Sequence, residues 1–170
     1  MVTLLEDEQK KKGINKGFIV ALLIAVVIIG GVIGLLARKP SMEEQKAKLL
    51  EGAYKEGSPE FAELTKDIII ANDQDKTVES PMAFGTISMF ISGNVRNRGS
   101  KKITLLEVNV AVVTQFKKVL QEKRVLVVPV QKQDYIEPGQ TIPLTLTLDN
   151  FSKEDDRADI RWKVTAIKAE

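Results

Sequence analysis

The sequence predicts an all-β protein: an Ig-like antiparallel β-sandwich of six or seven strands, preceded by a single transmembrane helix and a short helical stalk. Three observations carry this expectation. From Asp67 onward apolar residues recur with a period of two between turn residues, and no long helical pattern interrupts them. Gly17 to Ala37 (GFIVALLIAVVIIGGVIGLLA) is 21 residues without a charged or polar side chain. Between the two lies a polar segment in which helix-start signals recur. The expected divisions are 1–16, a short cytoplasmic tail; 17–37, the transmembrane helix; 38–66, the stalk; and 67–170, the sandwich.

As a helix rising ~1.5 Å per residue, the apolar run spans roughly 31 Å, the thickness of a bilayer's hydrocarbon core. A cleaved signal peptide is the competing reading, but its apolar region is shorter, and Leu35, three residues before Arg38, fits small-residue cleavage poorly. Positive charge sets orientation. Lys10, Lys11, Lys12 and Lys16 crowd before the run, whereas Arg38, Lys39, Lys46, Lys48 and Lys55 follow more loosely. The count is nearly a tie; the crowding and the shortness of the tail tip it to a cytoplasmic N-terminus. The expected localisation is therefore the plasma (inner) membrane, single-pass, with the C-terminal domain extracytoplasmic. Gly30 and Gly34 form a G-x-x-x-G pair, and small residues let helices approach closely in lipid, so weak homo-oligomerisation or docking on a partner helix is expected there.

In the stalk, Ser41 with Glu44 three residues on is a capping box that predicts a helix over Met42–Ala53. Ser58-Pro59 repeats the start signal, predicting a second helix from Pro59 to about Lys66 with Phe61 and Leu64 buried. Strands are expected at Ile68–Ile70, Thr86–Val95, Ile103–Phe116, Val119–Val128, Thr141–Leu148 and Asp159–Ile167. In the last, Ile160, Trp162, Val164 and Ala166 should point inward. The paired Cys of antibody domains is missing and Trp162 lies in the final strand, so only the architecture transfers.

Composition excludes much chemistry. There is no Cys and no His, which removes disulfides, thiolate nucleophiles, Cys/His zinc sites and Ser-His-Asp catalysis. The formal charge is +2, and residues 57–170 carry as many basic as acidic side chains, which disfavours nucleic acid. Gly93 and Gly99 before Ser100-Lys101 approach a phosphate-binding loop, but the spacing is wrong and a strand follows, so a hairpin turn is expected. Asp149, Glu154, Asp155, Asp156 and Asp159 are hard oxygen ligands without the alternating spacing of a Ca²⁺ loop. A Ser-Lys dyad lacks any nucleophile-elbow frame. No catalytic residue, cofactor or metal site is expected, and the chain is read as a non-enzyme.

The run Ile91-Ser92-Gly93-Asn94-Val95-Arg96-Asn97-Arg98-Gly99, then Ile103 to Val113, then Ile136-Glu137-Pro138-Gly139-Gln140, resembles the turn-and-strand pattern of small bacterial membrane-tethered Ig-like domains of the FxLYD type and related uncharacterised families. The resemblance covers about Thr86 to Leu148 and departs where the F-x-L-Y-D element would sit, at Val110 to Phe116. It implies placement and fold, not chemistry.

Because turns alternate between two ends in an antiparallel array, 97–100 and 131–140 should share one end with the C-terminus, opposite 116–118 and 150–157. If the strand at Ile68 rises from the stalk, that first end faces the membrane and offers Arg96, Arg98, Lys101 and Lys102 to anionic headgroups. A further strand at Lys76–Ser80 would invert this polarity. The expected role is a structural or adaptor subunit whose partners are the bilayer and other membrane or envelope proteins, with no nucleic acid. The alternative is a carrier or sensor holding a lipid or other apolar ligand between its sheets.

Overall fold

A computed structural model describes residues 16–37, 41–129 and 133–170. The expected tail, with Lys10, Lys11 and Lys12, lies outside them, as does part of the 131–140 turn. The chain forms two compact units, Met1–Gln45 and Lys46–Glu170. In the first, helix α1 runs Lys16–Ala37. Its side chains are described only in part, and over the described residues no helix is long and apolar enough to cross a membrane.

Helix α2 (Met42–Leu49) begins at the capping box: the Glu44 N–H donates to Ser41 Oγ and the Ser41 N–H to Glu44 Oε2, both at 3.1 Å. It stops short of the expected Ala53 because Gly52 takes φ +76°, a conformation that a helix cannot continue through. The chain then makes a strand that periodicity did not predict, β1 (Tyr54–Lys55). Helix α3 (Pro59–Thr65) follows, its first turn closed by Phe61 N–H donating to Ser58 Oγ at 3.2 Å.

The remaining strands are β2 (Ile68–Asn72), β3 (Val78–Pro81), β4 (Thr86–Asn97), β5 (Ile103–Val113), β6 (Val119–Val128), β7 (Thr141–Ser152) and β8 (Asp159–Ala169). They make an all-β sandwich of two antiparallel sheets. One has the order β1-β8-β5-β6; in the other β4 is central, with β7 along one edge and β2 then β3 in series along the other. Apolar side chains at alternate positions meet between the sheets: Ile91, Val95, Val108, Val110, Val112, Leu144 and Phe151 have no exposed surface.

Several boundaries differ from expectation for local reasons. β5 ends at Val113, not Phe116, because Thr114 and Lys118 close a tight turn (Thr114 N–H to Lys118 O, 2.9 Å) with Lys117 at φ +66°. β7 runs past Leu148: the ladder slips opposite Ile87 and Met89, Asn150 takes φ +66°, and this bulge returns Phe151 to the core. In β8 the register slips between Val164 and Ala166, so the alternation shifts and Ile167 joins the core cluster, while Ala166, though buried as expected, lies opposite Glu107 outside that cluster.

The end-to-end arrangement follows the expected parity. Lys102 and Glu170 exchange backbone hydrogen bonds at 3.0 and 2.9 Å, as do Ile103 and Ile136, and Asn97 N–H donates to Gln140 O at 3.0 Å. At the opposite end Ala158 N–H reaches Val113 O at 3.0 Å. A strand does occupy Val78–Pro81, but it does not reverse the alternation of the following strands, because β2 and β3 run in the same direction along β4, separated by a 3-10 turn at Gln74–Lys76. β2 starts beside Asn97, so the polypeptide enters its main strands at the end that carries Arg96 and Arg98.

Candidate functional site

The basic end is organised by Asn97, which is fully buried. Its Nδ2 donates to Lys101 O at 2.8 Å and to Ile136 O at 3.2 Å, its Oδ1 accepts from Gly99 N–H at 3.0 Å, and its carbonyl accepts from Gly139 N–H at 2.8 Å. One amide therefore ties three segments together and sets where the basic side chains emerge. Arg96 projects outward from β4 between buried Val95 and Asn97; Arg98 and Lys101 are exposed; Lys102 is half-buried, its Nζ 5.0 Å from the centre of the Tyr135 ring. All four predicted residues thus gather at one end. They are not alone there: Asp67 lies against Gly99, where an added Cβ would stand 3.3 Å from its carboxylate. Of the predicted packing pair, Gly30 lies in α1 with nothing within 4 Å of where a Cβ would stand; the surroundings of Gly34 lie outside the described residues.

Four members of the acidic cluster accept hydrogen bonds, within their own loop or from a neighbouring element. Asp149 accepts from Ser88 Oγ at 2.6 Å, Asp155 from Ser152 N–H at 2.6 Å, Asp156 from Gln115 N–H at 3.1 Å and Asp159 from Ile160 N–H at 2.8 Å. Among the described residues no group of three or more such side chains converges as a metal site. Arg157 fastens this end: it grips both oxygens of Glu79 on β3 at 3.0 and 3.1 Å and donates to the carbonyls of Ser152 and Asp155. The Glu79 carboxylate raises its pKa further.

Sequence reasoning missed two features. The first is Glu107, a carboxylate in the middle of β5 that is 4% exposed. Lys46 of α2 approaches it at 2.6 Å and Thr165 Oγ1 donates to it at 2.6 Å. Burial pushes its pKa up, but the bonds from Lys46 and Thr165 with the charges of Lys46 and Arg124 prevail and hold it below the ordinary carboxylate range. The available signal was a lone charge in an otherwise Val- and Leu-rich strand. The second is an open groove of about 500 Å³ between α3, β2 and β8, lined by Phe61, Ile68, Ile70, Trp162 and Val164 among others. Trp162 packs against Gly93 so closely that a Cβ there would stand 2.9 Å from the indole, and its Nε1–H donates to Asn72 Oδ1. Glycine on β4 is what lets the indole seat between the sheets.

No protein-family model and no curated protein matches the chain. Among solved structures it is similar to an X-ray structure of a Northeast Structural Genomics Consortium target, at 12% identity and a TM-score of 0.41 over 63% of this chain and 86% of that one. It is also similar to a crystal structure of a Bordetella pertussis protein provisionally named ApaA, at 14% identity and a TM-score of 0.31 over 61% of this chain and 86% of that one. At these scores neither likeness transfers a fold assignment or an activity to the chain.

Proposed function

We propose that the chain is a non-catalytic, single-pass membrane protein whose Ig-like sandwich is displayed outside the cytoplasm as an adaptor or structural subunit of a membrane or envelope complex. The observation that carries this reading is the segregation of the chain: an unbroken apolar run of 21 residues, then a sandwich with a buried apolar interior in which Asp155 and Asp156 accept from backbone N–H groups. By its sequence alone the 21-residue run has the length expected of a bilayer-spanning helix. The Ig-like reading is supported by the strand pairing, since β4 pairs β7 in one sheet, β5 pairs β8 in the other, and the chain crosses between sheets at β1–β2, β4–β5, β6–β7 and β7–β8. Kinship with membrane-tethered FxLYD-type domains belongs to the same proposal.

In this reading Arg96, Arg98, Lys101 and Lys102 meet anionic headgroups, each contributing about 1 kcal/mol near the surface. Gly30 and Gly34 supply the face for helix association. The carrier alternative is less favoured because the side chains between the sheets leave no exposed surface at the middle of the core. Co-purification of the full chain in mild detergent tests the adaptor role. A stoichiometric protein partner is the expected result; an isolated chain carrying extractable lipid would favour the carrier and overturn the adaptor.

A further inference from the structure

The outer edge of β8 is an unfinished sheet edge. β1 pairs with it only at Tyr54 to Ile167 and Lys55 to Ala166, whereas β5 lines its other side over nearly its whole length. Asn72 Nδ2 donates to the Ile160 carbonyl and Asp159 takes up the Ile160 N–H, so Ile160 directs its backbone away from β5. By the alternation of an antiparallel strand, Trp162 and Val164 direct theirs the same way. Among the described residues neither has a partner strand on that side. Beside this edge lies the groove of about 500 Å³, floored by Phe61, Ile68, Ile70 and the indole of Trp162.

The geometry points to strand addition: an extended segment of a partner protein pairs with β8 along Ile160 to Val164, its alternate apolar side chains entering the groove and acidic ones facing Arg161 and Lys163. This rests on the adaptor reading and names the chemistry of its partner. A segment opposite those five residues spans about 17 Å, a short strand. The apolar and acidic pattern follows from β8, in which Trp162 and Val164 line the groove while Arg161 and Lys163 are exposed, Lys163 standing at the groove's rim. The chain already shows how such a strand is read. After β1 pairs with this edge, Glu56 brings its carboxylate to Lys163 at 2.7 Å, while Arg161 has only a loose contact of 3.9 Å with Asp159. These exposed pairs are weak and exchange readily for an incoming carboxylate. A second copy fits less well, since its β8 would set Arg161 and Lys163 against the same two residues.

Trp162 is the sole tryptophan and reports the groove directly. The full chain in detergent micelles is titrated with an eight-residue peptide alternating valine and glutamate, with the same peptide N-methylated at every backbone nitrogen, and with a valine-lysine counterpart. A saturable change in Trp162 emission with the first peptide, lost on N-methylation and at least ten-fold weaker with lysine, is the expected result. No response to the first peptide, equal binding of the methylated one, or quenching of Trp162 by a brominated lipid that the peptide cannot relieve would overturn strand addition. Recovery of a stoichiometric partner alongside such a failure would leave the adaptor role standing and remove this site alone.

Discussion

Truncating Phe151 to alanine lowers the stability of the sandwich by about 3–5 kcal/mol, the range for a large buried aromatic. Phe151 has no exposed surface, and it reaches the core only because the bulge at Asp149 and Asn150 turns β7 back inward opposite Ile87. Its neighbours cannot collapse freely into the space, because Arg157, whose guanidinium lies 6.0 Å from the ring centre, is held by Glu79 and two carbonyls. With a total stability of about 5–15 kcal/mol for such a domain, the thermal midpoint followed by circular dichroism falls by roughly 10–20 °C. A fall under about 3 °C would mean that the ring is not the core residue described above.

Replacing Glu107 or Lys46 alone destabilises the fold, and replacing both does not. Glu107→Ala removes the acceptor that Lys46 and Thr165 share, and Lys46→Met leaves a buried carboxylate without its cation. Each change costs about 2–3 kcal/mol, below the loss for a fully buried pair because Lys46 keeps 34% of its side chain exposed. The double change Lys46→Met with Glu107→Leu recovers most of that loss, since an apolar pair of similar size carries no desolvation penalty. Acid separates the wild type from Glu107→Gln. The folded-state pKa of Glu107 is lowered, so its contribution is present above the unfolded carboxylate value and disappears as pH falls through the folded one. The wild type therefore loses stability more steeply below about pH 5 than the glutamine variant does. Parallel acid profiles would remove Glu107 from this role.

Strands longer than seven residues were legible from apolar runs bounded by turn residues: β4, β5, β6, β7 and β8 all start within a residue of where those signals place them, although only β7 keeps a clear alternation of burial and β5 is buried on both faces. The pieces that were not legible lack that signal. Tyr54-Lys55 is too short for any period, and Val78 to Pro81 is exposed at every position, so nothing in it alternates. Bulges are invisible for a different reason. A slip at Asn150 or near Thr165 exists only relative to the paired strand, and the second decides which of Ala166 and Ile167 joins the core cluster. The same logic applies to function. Arg96, Arg98, Lys101 and Lys102 could be grouped from strand parity, whereas the Glu107 site needed Lys46, and the β8 groove needed α3 and β2 placed in space.

The central claim is a sandwich held outside the cytoplasm by the apolar run, and cysteine labelling tests it most directly in this Cys-free chain. Ser152 is exposed at the end of β7, whereas Val2 belongs to the expected cytoplasmic tail. In intact cells Ser152→Cys should react with a membrane-impermeant maleimide and Val2→Cys should react only after the membrane is permeabilised. Labelling of Val2→Cys in intact cells with Ser152→Cys protected would contradict the account.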